Sequence, residues 1–180
     1  MNHCIKNSNP SPKVSVIIPV YNTGDYLRET LNSICTQTLE EQEIILLNDG
    51  STDGSMKIIE EYATKDSRIQ YHTQPNQGLS VARNQAMKHA TGKYIYFMDS
   101  DDLLDRNALQ QCYQTCEKDN LDFVFFDAEP ILDSARTENI PDYNRKEKID
   151  ENVWKGIDLL NYELDNQLFR TPVWLCFVNR

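Results

Sequence analysis

The sequence lacks paired cysteines, an excess of positive charge and any long apolar run. Its five cysteines form no Cys-x-x-Cys pair and no set with histidines at zinc spacing, so a reducing compartment fits best. The formal charge of -10 argues against broad nucleic-acid binding, which needs a basic face to neutralise phosphates. No apolar run approaches the ~20 residues of a membrane span. We therefore expect a soluble protein. This expectation is compatible with docking on a membrane surface.

Strand-like and helical patterns alternate through the first two thirds of the chain. After a polar leader over residues 1–12, Leu27, Leu31 and Ile34 repeat at helical spacing behind the first strand-like run. The strand-like runs are VSVIIPVYN, EIILLND, RIQYHTQ, YIYFMD and LDFVFFDAE. This alternation predicts an α/β fold with a mostly parallel, Rossmann-like sheet and helices on both faces.

The helix that begins at Leu79 is predicted to lie close to the sheet. Its alanines at positions 82, 86 and 90 allow a close approach, and Gly92 is predicted to end it.

From residue 128 the pattern weakens. A charged, irregular stretch consistent with a loop or flap precedes the helical pattern VWKGIDLLNYELDNQ and the strand-like run TPVWLCFVNR. We interpret residues 13–127 as one α/β domain and residues 128–180 as a partial region that stops on entering a new element.

Polar segments follow three of the predicted strands, namely PVYN, NDGSTD and DSDD. In parallel α/β sheets, ligands bind beyond the carboxyl ends of the strands. We therefore expect these segments to share one rim, although they are far apart in sequence.

Three carboxylates, Asp99, Asp101 and Asp102, crowd the last of these segments. Two unit charges ~4 Å apart cost on the order of 4 kcal/mol at an effective dielectric near 20. A divalent cation, Mn²⁺ or Mg²⁺, would turn that repulsion into binding and would neutralise a diphosphate. Alternatively, Asp101 and Asp102 cap the following turn and Asp99 is solvated. An isolated Asp-x-Asp is a weak signal, but its position directly after a buried strand favours a metal site.

Three further residues each leave alternatives open. Asp49 can accept a hydrogen bond from a ring N–H, as uracil or guanine presents, or it can cap the helix that begins nearby. Tyr21 can stack on a base or close the core, and core packing is favoured without further context. Arg83 can neutralise phosphate, hold the acidic loop through a bidentate pair, or form a surface ion pair.

No catalytic role is assigned to the three histidines, which show no partner spacing: His3, His72 and His89.

Together these segments are recognisable. The stretches VSVIIPVYNTGDYLRETLNSICTQTLEEQEIILLNDGSTDGS and NQGLSVARNQAMKHATGKYIYFMDSDD resemble the family 2 glycosyltransferases, which have a glycosyltransferase-A fold. The resemblance covers residues 13–127 with all segments in order. It implies a nucleotide-sugar-binding domain there, usually for a UDP-sugar, followed by an acceptor-side region over 128–180 that is incomplete.

The resemblance also implies roles for single residues. Tyr21 and Asp49 match base-contacting positions, Asp99 would lie near the ribose, and Asp101 matches the metal-binding acid for Mn²⁺ or Mg²⁺. The other implied nucleotide-binding positions are Pro19, Val20, Asp25, Arg83 and Ser100.

The chain departs from the family pattern in two places. Asn48 stands where an acid commonly precedes Asp49, which should cost little because the base contact maps to Asp49. The general base is missing: in the family, an acid removes the acceptor hydroxyl proton while that oxygen attacks the anomeric carbon and inverts it. We expect this base beyond Arg180, and neither Glu163 nor Asp165 is nominated because both sit inside an apparent helix.

The expected activity is an inverting, metal-assisted sugar transfer from a nucleotide-sugar to a saccharide or lipid-linked saccharide acceptor. By family resemblance it belongs to bacterial surface-polysaccharide synthesis in the cytoplasm, beside the inner membrane. One alternative is a donor-binding module without efficient turnover. A nucleotidyltransferase is disfavoured because PVYNTGDY has one glycine and no basic residue. A receiver-like domain with a phosphoacceptor Asp would show no nucleotide affinity.

Overall fold

The computed structural model describes residues 11–131, 155–165 and 176–180. The strands are β1 (Val14–Val20), β2 (Gln42–Asn48), β3 (Ile69–Thr73), β4 (Tyr94–Phe97), β5 (Phe123–Phe125) and β6 (Cys176–Asn179). The helices are α1 (Gly24–Cys35), α2 (Ser55–Lys65), α3 (Leu79–Met87), α4 (Ala108–Asp119) and α5 (Gly156–Asp165). Most of the predicted leader, the charged stretch over 132–154 and residues 166–175 lie outside the described residues.

The strands form one sheet in the order β3-β2-β1-β4-β6-β5. The pairs β1–β2, β1–β4 and β2–β3 are parallel, whereas β6 runs antiparallel to both of its neighbours. The prediction of a mostly parallel α/β sheet is confirmed. The position of β6 between β4 and β5 was not predicted, because alternation along the chain does not reveal which strands are neighbours.

Helices cover both faces of the sheet, as the continuous apolar character of β1 predicts. All seven residues of β1 are buried, which is the pattern of a strand covered on two sides. Val16 and Ile18 belong to the core cluster on the side of α1, α2 and α4. Ile17 belongs to a smaller cluster with Ala82 and Ala86 of α3 on the other side.

The predicted end of α3 at Gly92 is wrong, since the helix ends at Met87. Beyond that point the backbone tightens into shorter-range bonds, such as His89 N to Ala86 O at 3.0 Å. Gly92 has a different role: a Cβ there would lie 2.6 Å from Ser15 N. Gly92 thus lets the chain pass directly against β1.

The last part of the chain contributes two described elements, α5 and β6, where a helix and a strand were predicted. Phe177 of β6 is fully buried and stacks on Tyr94 of β4, with ring centroids 5.0 Å apart. Within the described ranges, no helix has the length and apolar character needed to cross a bilayer.

Candidate functional site

A cavity of about 430 Å³ opens at the carboxyl ends of β1, β2 and β4. It brings together most of the predicted nucleotide and metal positions: Pro19, Val20, Tyr21, Asp49, Asp99, Ser100 and Asp101. It is also lined by residues that sequence reasoning did not single out: Thr23, Asn76, Gly78, Leu79 and Ala82. The three polar segments that follow the strands therefore share one rim, as predicted.

Tyr21 forms part of the cavity wall and is not a core residue. Its side chain is 49% exposed, so the expectation of core packing is wrong. The next residue, Asn22, has a positive φ of 54°. Asn22 N donates to Ser51 Oγ at 3.1 Å, and Asn22 Oδ1 accepts from Thr52 N at 2.8 Å. These bonds fix the backbone beside Tyr21 and leave its ring on the wall, where an aromatic face can stack on a base.

Asp49 is buried and already holds a loop of the protein. Its Oδ1 accepts from Gln74 Nε2 at 2.7 Å and from Gln77 N at 2.9 Å. Its Oδ2 accepts from Gly78 N at 2.9 Å. Asp49 does not cap α2, which begins at Ser55; it anchors the segment that leads into α3.

These bonds use most of the acceptor capacity of Asp49. An ionised carboxylate has about four acceptor positions, two on each oxygen. Both positions on Oδ1 and one on Oδ2 are occupied within the protein. One position remains, on Oδ2.

Two glycines shape the wall that Asp49 anchors. Gly50 has φ +75°, and a Cβ there would lie 2.8 Å from Asn76 N. Gly78 has φ +88°. Both conformations are in the region that glycine adopts without steric cost. The wall formed by Asn76 and Gly78 can therefore sit directly against the turn that follows β2.

Arg83 lies outside the cavity lining and pairs with Asp99. Its Nη2 donates to Asp99 Oδ1, and the two side chains are 18% and 29% exposed. Arg83 Nε is buried without a hydrogen-bond partner in the described part of the chain. Of the alternatives for Arg83, this contact supports a residue that holds the acidic loop, through one nitrogen and not through a bidentate pair.

The acidic loop, residues 99–107, carries the crowded carboxylates. Asp101 is exposed and lines the cavity, whereas Asp102 is partly buried. Burial, followed by the charges of Asp101 and Asp99, raises the pKa of Asp102 to about 6. The repulsion that the sequence predicts is thus present in this loop.

The acidic loop suits a cation that arrives with a diphosphate. Among the described residues, no three His, Cys, Asp or Glu side chains converge to hold an ion by themselves. Mg²⁺ usually takes one or two carboxylates and completes its shell with phosphate oxygens and water. Asp101, exposed in the cavity beside two further carboxylates, fits that donor set.

Ser100 and Thr23 join the acidic loop to the start of α1. Ser100 is buried, and its Oγ accepts from Thr23 Oγ1 at 2.9 Å. Thr23 precedes α1, and the first helical amide, Gly24 N, donates to Asp53 Oδ2 at 2.9 Å.

Asp25, predicted near the nucleotide, is exposed in the first turn of α1 and lies outside the cavity lining.

The chain is similar in sequence to glycosyltransferases. The family model described as "Glycosyl transferase family 2" matches residues 15–173. An uncharacterised glycosyltransferase of Escherichia coli, YibD, is 41% identical over 169 residues, which cover 93% of this chain and 48% of the relative. TuaG of Bacillus subtilis, named a putative teichuronic acid biosynthesis glycosyltransferase, is 40% identical over 105 residues, which cover 58% of this chain and 42% of TuaG.

The fold is also similar to a solved structure. The crystal structure of S. aureus TarS 1-349 in complex with UDP-GlcNAc matches with a TM-score of 0.65 and 30% identity. The match covers 72% of this chain and 37% of TarS 1-349. The chain thus spans about half or less of the length of the relatives it matches.

The family model and these relatives are glycosyltransferases, which decides against a nucleotidyltransferase and against a receiver-like domain. The family model spans most of the chain, and the parallel sheet agrees with that of a solved relative. The chain therefore belongs to glycosyl transferase family 2 and has the glycosyltransferase-A fold.

Proposed function

We propose that this chain binds a UDP-sugar together with Mn²⁺ or Mg²⁺ and serves the donor side of an inverting sugar transfer. The observation that carries the proposal is one cavity lined by an exposed aromatic ring, a buried acceptor and an acidic loop, contributed by Tyr21, Asp49 and residues 99–101. TarS, which shares the fold, has been crystallised with UDP and with UDP-GlcNAc.

The base is recognised by Tyr21 and Asp49 in this proposal. The exposed Tyr21 ring stacks on the base, and Pro19 and Val20 form the adjoining wall. The single acceptor position left on Asp49 Oδ2 receives one N–H. Uracil offers one ring N–H on its pairing edge, whereas guanine offers a ring N–H and an amino group. The acceptor count therefore favours a uridine nucleotide.

The acidic loop receives the ribose and the diphosphate. Asp99, oriented by Arg83, accepts from the ribose, and Asp101 is the ligand for the cation. A bound dication supplies Lewis-acid stabilisation of the nucleoside diphosphate as a leaving group. Ser100 keeps these two carboxylates at a fixed separation, because its side chain and its carbonyl are both hydrogen-bonded to the α1 region. Asp25 receives no role.

The proposal also includes the sugar acceptor. We infer a saccharide or lipid-linked saccharide acceptor and a place in bacterial surface-polysaccharide synthesis at the cytoplasmic face of the membrane. The name of TuaG, which refers to teichuronic acid biosynthesis, supports this inference. No described residue is assigned as the general base.

Isothermal titration calorimetry of UDP, with Mn²⁺ and with EDTA, tests the proposal. We expect UDP to bind more tightly with Mn²⁺. Asp101→Asn should lose roughly tenfold or more of the affinity measured with Mn²⁺, on the scale of about 1.4 kcal/mol, and should lose none of the affinity measured in EDTA, where a carboxylate and a diphosphate repel each other. Asp49→Asn should weaken binding in both buffers, because an amide NH₂ cannot accept the bonds that Asp49 accepts.

The matched control is Asp119→Asn, which makes the same charge change at the exposed end of α4 and should bind UDP like the wild type. A wild-type chain with no measurable affinity for UDP in either buffer would overturn the proposal. Binding without hydrolysis or transfer of a UDP-sugar would identify the chain as a donor-binding module.

A further inference from the structure

The acidic loop needs partners for its backbone. Residues 99–107 connect β4 to α4 and include no helix or strand. Buried backbone N–H and C=O groups must nevertheless be hydrogen-bonded. Several of their partners are side chains of α1 and of the residues directly after it.

Thr30 and Ser33 of α1 bond to two points of this loop. Thr30 Oγ1 donates to Ser100 O at 3.0 Å, and it also lies 3.4 Å from Tyr26 O in its own helix. A hydroxyl has one proton to donate. We assign that proton to Ser100 O, because this contact is the shorter of the two. Ser33 Oγ accepts from Leu104 N at 3.2 Å and donates to Thr30 O at 2.8 Å. These two bonds to the loop lie on either side of Asp101.

Gln37, two residues beyond the end of α1, extends the same line of contacts. Its Nε2 donates to Asp105 O at 2.7 Å, and its Oε1 accepts from Leu109 N at 3.2 Å. The second bond reaches the first turn of α4. The side-chain amide of Gln37 therefore joins the end of the acidic loop to the helix that follows it.

Thr30, Ser33 and Gln37 form a polar row, in which Thr30 and Gln37 are buried and Ser33 is partly buried. Their spacing of three and then four residues places them on one side of the helical path. Thr30 is fully buried and Gln37 is 5% exposed. Burying such groups is costly unless they are hydrogen-bonded. All three meet that requirement by bonding to the acidic loop. This part of α1 and the residues after it therefore pack against the acidic loop as well as against the apolar core.

We propose that Thr30, Ser33 and Gln37 are positioning residues, which hold the acidic loop so that Asp99 and Asp101 face the cavity and the site can bind Mn²⁺ with UDP. The functional half of this inference rests on the proposed function, whereas the structural half does not. Like charges in the loop drive its carboxylates apart when no cation is bound. The polar row opposes that movement, so the site is organised before the ligand arrives.

Amide hydrogen exchange of the full chain tests the structural half. In Thr30→Val and in Ser33→Ala, exchange in residues 99–107 should become roughly 3- to 10-fold faster, the range expected for one hydrogen bond. Exchange in β1 and β2 should stay at the wild-type rate. Thr30→Ser, which keeps the hydroxyl, should restore protection, and Glu29→Gln on the exposed side of α1 should have no effect. Unchanged exchange in the loop of both variants would overturn the proposal.

Calorimetry of UDP tests the functional half on the same variants. Thr30→Val should weaken UDP binding in Mn²⁺ by roughly 3- to 10-fold and weaken it less in EDTA, where only the ribose contact of Asp99 is affected, with Thr30→Ser close to wild type. A merely structural role predicts a lower melting temperature and equal losses in both buffers, and that result would overturn the proposal. If wild-type chain shows no Mn²⁺-dependent UDP binding, the proposed function fails. Hydrogen exchange then decides alone whether the polar row holds the loop.

Discussion

At the scale of single residues, Asp102 shows that the crowded carboxylates of the acidic loop lower the stability of the folded protein. Burial, and then the charges of Asp101 and Asp99, raise its pKa to about 6. An Asp in an unfolded chain has a pKa of about 3.9. The folded protein thus binds this proton more tightly than the unfolded chain does. The resulting penalty on stability is absent below about pH 4, grows as the pH rises, and is complete above about pH 6.

Asp102→Asn should therefore stabilise the ligand-free protein at pH 7.5. The expected gain is about 1 kcal/mol, smaller than the full pKa shift implies because the group is partly exposed and solvent screens its charge. Thermal unfolding in EDTA measures the gain, which should be small at about pH 4. The charge-matched control Glu29→Gln should show no such pH dependence. An equal gain at both pH values would contradict this explanation.

The types of residue in the cavity could be predicted from the sequence, but their hydrogen-bond partners could not. Asp49 and Asp101 lie one and four residues after the ends of β2 and β4, and this position alone predicts that they reach one rim. Nothing near Asp49 in the sequence indicates that its carboxylate is used by residues 74–78. Thr30 was missed because a threonine in a helix is usually read as a surface residue. Its place between the buried Leu27 and Leu31 was the available signal.

At the scale of elements, the turn after β2 and the start of α3 depend on glycine to different degrees. Gly50 combines φ +75° with a Cβ position 2.8 Å from Asn76 N. Gly78 has φ +88° but open space around its Cβ position. Gly54 has φ −77° and open space as well.

Alanine substitution should separate strain from steric overlap at these three positions. Gly54→Ala should change the free energy of unfolding by less than about 0.5 kcal/mol. Gly78→Ala should cost about 1–2 kcal/mol for its positive φ. Gly50→Ala should cost more, because the added Cβ must also displace backbone. Urea denaturation measures the order, and a Gly50→Ala variant as stable as Gly54→Ala would contradict the geometry.

The connection between β3 and the end of α3 is predicted to respond to pH. The rings of His72 and His89 stack with centroids 3.6 Å apart. Burial, and then the charge of His89, lower the pKa of His72. The fold thus favours the neutral imidazole. The associated stability is present above about pH 6.5 and is lost as the pH falls below it.

His72→Phe keeps an aromatic ring in this stack and removes the titration. Between pH 8 and pH 5, the melting temperature of the variant should fall by less than that of the wild type. Circular dichroism measures both melting temperatures. The neighbouring exposed position supplies the control Tyr71→Phe, which should retain the wild-type pH dependence. Parallel curves for wild type and His72→Phe would argue that this stack is not sensitive to protonation.

Short apolar runs and regular spacing made the elements around the core predictable. β1 and β2 each contain an apolar run, and α1 has a regular apolar row. The end of α3 was misjudged because Gly92 is a strong local signal for a helix end, while the helix ends at Met87 and Gly92 lies directly against Ser15 of β1. Strand order depends on contacts between distant segments, so the pairing of β6 with β4 could not be read from local pattern.

At the scale of the whole molecule, we expect folding to be independent of cation binding. The described residues contain no group of three metal-binding side chains, and the core clusters are built from apolar residues. We therefore predict that a cation that binds with UDP stabilises the native state by mass action and is not needed to form it.

The melting temperature should accordingly be the same in EDTA and in buffer without metal. Mn²⁺ and UDP together, at about 100 times the dissociation constant, should add about 2.7 kcal/mol of stability. For a chain of this size that corresponds to a rise of roughly 5–10 °C. UDP alone should raise the melting temperature less. Unfolding on addition of EDTA would point to a structural metal and contradict this prediction.

The place of β6 in the sheet has a consequence for biosynthesis. β5 pairs with β6, which the ribosome adds about 50 residues later, and at roughly 5–20 residues per second this delay lasts about 3–10 s. During that interval the nascent chain carries β5 without its described neighbour and leaves open the side of β4 that β6 later occupies. Codon choice across residues 126–175 thus sets how long an unpaired strand edge of the nascent chain stays exposed, and the demand for chaperones should follow that duration.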